Sequence, residues 1–174
     1  MSLTNEQSGN TMTNTRPSWH EYWMGMAEQV ATRSTCPRAT VGAVLVKDNE
    51  FVISGYNGAP SGKPHCTDEG CLIEHDHCVR AAHAEANAVF QAAKRGKATN
   101  GAICYTTHYP CLTCAVALYQ AGVSRVVYLR VYTPNPRVLT LFEQPPLHLD
   151  EAQIVCDSDV CPLCRAKEID CDYH

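Results

Sequence analysis

The chain has 174 residues, of which 45% are hydrophobic and 18% charged, and a formal net charge of −4. This length and balance suit one globular domain with a sizeable core, and they argue against a broad nucleic-acid-binding surface. We find no apolar run long enough to cross a membrane and no N-terminal segment typical of a secretory signal. We therefore expect a cytoplasmic protein with neither a membrane nor a nucleic acid as partner.

The first third of the chain predicts a tail, a helix and a hairpin. Residues 1–16 are rich in Ser, Thr, Asn and Gln and are predicted to be a flexible tail. Ser18 and Glu21 form a capping-box pattern, which predicts a helix whose apolar residues, including Trp19 and Trp23, face the core. Two strands are predicted at residues 41–47 and 51–56, joined by a hairpin turn at 48–50.

The middle of the chain predicts loops followed by a helix. The glycine-rich stretch at 55–62 is either a close approach to a ligand or an ordinary surface turn. Residues 63–80 hold three cysteines and three histidines and are predicted to be an irregular loop held by a metal. An alanine-rich helix should run from about residue 81 to 94 and end at Gly96.

The remaining elements complete an alternation of strands and helices. Strands are predicted at 102–106 and 125–131, with a helix from about 111 to 120 between them. A short helix at 137–143 and a last strand at 151–155 follow. This alternation is typical of the α/β class, with helices layered on a mostly open sheet. We assign one domain to residues 17–155 and a cysteine-rich, acidic tail to 156–174.

Eleven cysteines make an odd and high number for such a chain. In a cytosolic protein, clustered cysteines bind metal more often than they form disulfides. Cys104 stands apart in a strand-like run and is predicted to be a small buried apolar residue. The other ten fall into three groups: Cys36, Cys66, Cys71 and Cys78; Cys111 and Cys114; and Cys156, Cys161, Cys164 and Cys171.

Two short motifs, His83-Ala84-Glu85 and the PCxxC segment at 110–114, contain the residue types of a catalytic zinc site. Zinc takes His and Cys ligands in tetrahedral geometry, and a catalytic site keeps one position open for water. Each motif alone is weak evidence, because CxxC also occurs in structural zinc knuckles and redox pairs. Together they predict His83, Cys111 and Cys114 as ligands, with Glu85 as the carboxylate that moves protons beside the water.

This HxE and PCxxC pattern is that of the zinc-dependent nucleobase deaminases. With the Gly55-Tyr56-Asn57-Gly58 loop and the Cys/His insert at 65–80, residues 19–143 resemble the deoxycytidylate (dCMP) deaminases. The bacterial and phage branch, which includes the competence-operon type, is the most similar. The resemblance implies a three-layer α/β/α cytidine deaminase-like fold with a central five-stranded mixed sheet. It also implies hydrolysis of dCMP to dUMP and ammonia, upstream of thymidylate synthesis.

The resemblance further implies regulation and assembly. Members are activated by dCTP, with which Mg²⁺ is expected, are inhibited by dTTP, and form homo-oligomers, typically hexamers. Asn57 is expected to contact the sugar, and Tyr56, Asn57 and Gly58 to form part of the dCTP site. The branch also has a second, structural zinc. Its ligands are expected among Cys36, Cys66, Cys71, His77 and Cys78, where either His77 or Cys78 completes the site.

Several assignments stay open at this point. Arg38, Lys63 and Arg80 are the basic residues available for the 5′-phosphate, and the sequence does not rank them. Tyr128 and Tyr132 could line the pocket or pack in the core. The tail cysteines, with His174, could hold another metal, although no second CxxC supports a zinc knuckle there.

Two other functions compete with dCMP deamination. One is a deaminase of another substrate, such as a tRNA adenosine, free cytidine or a riboflavin precursor. The acidic charge balance weighs against RNA, and the loop at 55–58 weighs against the other two. The second is a non-catalytic, metal-held interaction module, which would have no need for Glu85 or for an open ligand position.

Overall fold

A computed structural model describes residues 16–75, 77–131, 137–138 and 148–151 of the chain. Predictions that fall elsewhere lie outside the described residues, among them the tail cysteines, Tyr132 and most of the helix expected at 137–143. The helices are α1 (Trp19–Ala31), α2 (Cys66–Glu69), α3 (Ala84–Lys94) and α4 (Leu112–Gln120). The strands are β1 (Gly42–Lys47), β2 (Glu50–Tyr56), β3 (Ile73–Glu74), β4 (His77–Cys78), β5 (Ile103–His108), β6 (Arg125–Arg130) and β7 (His148–Glu151).

The predicted capping box starts α1. The Glu21 N–H donates to the Ser18 hydroxyl over 3.2 Å, and the Ser18 N–H donates to the Glu21 carboxylate over 2.6 Å. These bonds satisfy two of the amides that a helix start leaves unpaired. Trp23 is buried as predicted. The prediction for Trp19 is wrong, since this ring is 48% exposed and stacks on Trp23 with ring centroids 5.8 Å apart.

Five strands form one mixed sheet in the order β2-β1-β5-β6-β7. β1 pairs antiparallel with both β2 and β5, whereas β5, β6 and β7 run parallel. The hairpin turn has two residues, Asp48 and Asn49, both with positive φ, so Glu50 belongs to β2 and not to the predicted turn. The last strand was misplaced, because it begins at His148 and ends at Glu151.

Helices cover both faces of the sheet, as the three-layer prediction requires. One core lies between α1 and one face, and a second lies between the sheet and the helices α3 and α4. Two glycines allow the closest contacts. A Cβ at Gly42 would meet the backbone of α1 at 2.2 Å, and one at Gly55 would meet the backbone of α3 at 2.3 Å. Among the described helices, none is long and apolar enough to cross a membrane.

The segment at 63–80 is more regular than predicted. It contains the short helix α2 and a two-stranded ribbon, in which β3 pairs antiparallel with β4. His75 forms the turn of this ribbon, with a φ of 47°. The segment then leads into α3, which begins at Ala84, three residues later than predicted. Gly96, with a φ of 62°, follows the end of α3.

Candidate active site

Two helix starts place the three predicted zinc ligands together. His83 is the N-cap of α3 and Cys111 is the N-cap of α4, both with extended backbone, while Cys114 lies in the first turn of α4. His83 Nδ1 is 3.4 Å from the Cys111 sulfur and 3.5 Å from the Cys114 sulfur. Tetrahedral zinc with ordinary Zn–S and Zn–N bonds needs an S···N separation of about 3.5 Å. The donor set and its spacing therefore fit a zinc ion bound by three protein ligands.

The electrostatics of this cluster make Cys111 its most acidic thiol. A hydrogen bond with Cys114, together with that to His83, lowers the pKa of Cys111 to about 4. The hydrogen bond with Cys111 in turn raises the pKa of His83 and that of Cys114, so these two ligands would release their protons when a metal binds. Cys111 and Cys114 also sit at the positive end of the α4 dipole, which stabilises a thiolate. A thiolate for the metal is thus available at neutral pH.

Glu85 lies beside the ligands but is not one of the clustered donors. It stands in the first turn of α3, is only 4% exposed, and accepts a hydrogen bond from the Thr106 hydroxyl over 3.4 Å. Burial raises the pKa of the Glu85 carboxyl. A raised pKa lets a carboxyl hold a proton at a higher pH than an ordinary carboxyl does, which suits a general acid–base group.

A cavity of about 340 Å³ opens next to these residues. His83, Ala84, Glu85 and Cys111 form one part of its wall. The rest comes from the loop after α1, the end of β2, the segment at 77–81 and the end of β5: Cys36, Arg38, Ala39, Val41, Asn57, His77, Cys78, Ala81, His108 and Tyr109. This volume is of the size of pockets that hold small ligands.

Asn57 and Arg38, two of the predicted substrate contacts, line this cavity. Asn57 is 6% exposed, and its amide is already part of the wall. Its side-chain NH₂ donates to the Ala39 carbonyl, and its Oδ1 accepts from the Val41 N–H. One amide hydrogen and one lone pair therefore remain for a ligand.

Other predicted contacts lie elsewhere. Arg80 is not part of the cavity wall, and its guanidinium pairs with Glu69 over 3.0 Å. Tyr128 packs edge-on against Tyr109, with ring centroids 5.1 Å apart, and lies against the core, as the packing alternative predicted. Lys63 is exposed and also outside the wall.

Two of the residues predicted to bind dCTP, Tyr56 and Gly58, form hydrogen bonds to residues on either side of the start of α3. The Tyr56 carbonyl accepts from the Asn87 side chain over 2.9 Å. Gly58 exchanges two backbone hydrogen bonds with Ala82. Of these three residues, only Asn57 lines the cavity. Tyr56 and Gly58 could therefore contact only a ligand that binds outside the cavity.

Four cysteines form a second cluster, defined by Cys36, Cys66, Cys71 and Cys78. The sulfurs of Cys36 and Cys71 are 3.7 Å apart, and those of Cys66 and Cys78 are 3.5 Å apart. A Cys₄ zinc site with ordinary bond lengths has S···S edges of about 3.8 Å, so this set too fits zinc. His77 is not part of it. All seven cysteines in the described ranges are free thiols, which leaves them available as ligands.

Protonation of this four-cysteine cluster is uneven. Burial raises the pKa of Cys66. For Cys78 burial acts in the same direction, but backbone hydrogen bonds from Ala81 and Arg80 and the Cys66 thiol together lower its pKa to about 7. Cys78 is thus the sulfur most ready to bind as a thiolate.

His108 and Tyr109 are cavity residues to which the sequence analysis gave no role. His108 ends β5 and Tyr109 follows it, and both precede Cys111, the first of the predicted cysteine ligands. Their position in the sequence, between a predicted strand and the PCxxC motif, could have indicated this. A chain segment that leads directly into a metal ligand usually also borders the metal site.

A family model of the cytidine and deoxycytidylate deaminase zinc-binding region matches residues 17–130. The chain belongs to this family. "ComE operon protein 2" of Bacillus subtilis (strain 168) is 45% identical over 139 residues, which cover 80% of this chain and 74% of that one. The deoxycytidylate deaminase of Mycobacterium phage D29 is 39% identical over 125 residues, which cover 65% of this chain and 95% of that one.

A solved member of the same fold is the dCMP deaminase of the cyanophage S-TIM5 in complex with dCMP and dUMP. It is 31% identical to this chain and superposes on it with a TM-score of 0.68. The superposition covers 79% of this chain and 98% of the cyanophage chain. The predicted cytidine deaminase-like fold is confirmed. The chain is thus a family deaminase of the bacterial and phage branch that the motifs had indicated.

Proposed function

We propose that this family member catalyses the hydrolysis of dCMP to dUMP and ammonia and depends on zinc. The observation that carries the proposal is the buried carboxyl of Glu85 next to His83, Cys111 and Cys114, on the wall of a nucleotide-sized cavity. The named substrate rests on the relatives that are called deoxycytidylate deaminases and on the cyanophage enzyme with its bound dCMP and dUMP.

The division of work follows from the residues. His83, Cys111 and Cys114 would hold the zinc, which makes water a nucleophile at neutral pH by lowering the pKa of that water to about 7. Glu85 would take the proton from the attacking water and deliver it to N3 of the cytosine ring. The same carboxyl would then help to protonate the departing amine, so that water is consumed and ammonia released.

The cavity wall suggests how the nucleotide is held. Asn57 would use its remaining amide hydrogen and lone pair on the deoxyribose hydroxyl. Arg38 is the predicted phosphate contact that also lines the cavity, and we assign the 5′-phosphate to it in preference to Arg80.

The finer features are part of the same proposal. We propose that the four-cysteine cluster holds a second, structural zinc, which would tie the loop before β1 to the segment at 66–78. Activation by dCTP with Mg²⁺ through Tyr56, Asn57 and Gly58, inhibition by dTTP, assembly as a hexamer and a cytoplasmic role in supplying dUMP for thymidylate synthesis follow from the family resemblance. The tails at 1–16 and 156–174 would lie outside the deaminase domain at 17–155.

The test is ammonia release from zinc-loaded protein offered dCMP, deoxycytidine, CMP and dCTP separately. We expect dCMP to be the preferred substrate and dCTP to stimulate its turnover. Glu85→Ala should keep its zinc, because Glu85 is not a ligand, and lose nearly all turnover. Substantial deamination by Glu85→Ala, or preference for another of these compounds, would refute the proposed mechanism or substrate.

A further inference from the structure

His108 is a polar residue of the cavity wall that the proposed mechanism does not use. It is the last residue of β5 and is partly buried. It lies three positions before Cys111, and it lines the same cavity as His83, Glu85 and Cys111. The question is which kind of ligand atom this imidazole can bind.

A hydrogen-bond chain determines the tautomer of His108. The Gly42 N–H donates to the Thr107 hydroxyl oxygen over 3.2 Å, and the same oxygen lies 3.0 Å from His108 Nδ1. Thr107 is completely buried, so its hydroxyl hydrogen needs a protein acceptor. His108 Nδ1 is the acceptor within reach among the described residues. The hydroxyl therefore donates to Nδ1, and the ring carries its proton on Nε2.

The charge of His108 is determined as well. Burial, with the positive charge of Arg130 as a smaller cause, lowers the pKa of His108. The ring is thus neutral at physiological pH and offers one N–H donor. In the described part of the chain, Nε2 of His108 has no hydrogen-bond partner. The polar side-chain atoms that are both buried and unpaired there belong to Trp23, Arg80 and Tyr109, so Nε2 is unpaired but not buried. It is accordingly accessible to a ligand in the cavity.

A neutral, donor-only group matches one atom of the proposed substrate best. Phosphate oxygens are charged and favour a cation such as Arg38, and a sugar hydroxyl can pair with a donor or an acceptor. The uncharged atoms of a cytosine ring that only accept are N3, which the proposed mechanism gives to Glu85, and the carbonyl oxygen at C2. We propose that His108 is a specificity residue whose Nε2–H donates to the C2 carbonyl oxygen of the pyrimidine ring. This inference rests on the proposed function, since it needs a pyrimidine in the cavity.

The test compares two substitutions on two substrates. His108→Leu removes the donor at similar volume, whereas His108→Gln places an amide N–H near the position of Nε2. A neutral hydrogen bond of ordinary strength corresponds to roughly a 3- to 10-fold change in binding. We expect His108→Leu to raise KM by roughly that factor for both dCMP and deoxycytidine, with a smaller effect on kcat. His108→Gln should stay within about threefold of the wild type.

Independent readouts separate this role from a structural one. Zinc content and thermal unfolding of both variants show whether the fold is kept. The ¹⁵N chemical shifts of the wild-type imidazole should report the proton on Nε2, and Thr107→Val should shift the tautomer balance while Thr107→Ser preserves it. A proton on Nδ1 in the wild type would overturn the proposal.

The kinetic outcomes also distinguish this proposal from the proposed function. An unchanged KM in His108→Leu, a loss confined to dCMP, or equal losses in His108→Leu and His108→Gln would each overturn the role of His108 while dCMP deamination stands. If the wild type deaminates no pyrimidine, the proposed function fails and the role of His108 fails with it.

Discussion

The contact between β2 and α3 leaves no room for a side chain at Gly55. A Cβ there would lie 2.3 Å from the Ala84 carbonyl oxygen and 2.4 Å from the Ala88 nitrogen, whereas ordinary contacts begin near 3.4 Å. The helix would have to move by about 1.1 Å, the difference between 2.3 and 3.4 Å. Backbone atoms cannot rotate out of the way. Gly55→Ala should therefore lower the free energy of unfolding by about 1–3 kcal/mol, the usual cost of overpacking.

The same displacement should reach the active site. Ala84 is the first residue of α3, and Glu85 follows it. A shift of about 1 Å in a catalytic group can cost roughly 100-fold in rate. We expect Gly55→Ala to lose up to that factor in dCMP turnover, measured by ammonia release, and to unfold at a lower urea concentration.

Gly25→Ala is the matched control. A Cβ at Gly25 meets nothing within 4 Å, and the residue lies on the exposed side of α1. This substitution should leave turnover unchanged and stabilise the helix by up to about 1 kcal/mol. A Gly55→Ala protein that matches the wild type in both urea midpoint and turnover would refute the packing argument.

Three further predictions concern other parts of the molecule. Ser18→Ala should cost about 1 kcal/mol of stability in thermal unfolding, because it removes one half of the α1 capping box. Cys66→Ser should lower the bound zinc by one equivalent in elemental analysis while the zinc at His83 is retained, and an unchanged content would exclude the four-cysteine site. Arg130→Gln should raise the pKa of His108 in an NMR titration yet leave it below its ordinary value, because burial, the larger cause, remains; no change would mean that Arg130 does not act on the ring.

Features that depend on near neighbours in the chain were predictable. The capping box of Ser18 and the end of α3 at Gly96 involve residues a few positions apart, and both are confirmed. The grouping of His83, Cys111 and Cys114 was predictable for a different reason, since metal chemistry permits few residue types and spacings. β7 was misplaced because its sequence has little intrinsic preference for a strand, and pairing with β6 imposes that conformation.

Features that depend on distant segments were not predictable. Arg38 and Arg80 were equivalent in the sequence, and only the fold shows that Arg38 lines the cavity while Arg80 pairs with Glu69. His108 could not be assigned because its tautomer depends on Thr107 and on Gly42, which is 65 positions from Thr107. His77 and Cys78 were alternatives for the second metal, and the structure groups Cys78, not His77, with the other three cysteines.

The cavity wall is built from two kinds of structural element, helix starts and connecting loops. Glu85, His83 and Cys111 belong to the starts of packed helices, whereas Arg38 and Asn57 come from connecting loops. Loops accept substitutions and changes in length far more readily than packed helix ends do. The candidate catalytic centre could therefore be kept through evolution while the loops that carry the proposed sugar and phosphate contacts diverge. For protein engineering, these loops are the place to change the proposed sugar and phosphate contacts without rebuilding the candidate catalytic centre.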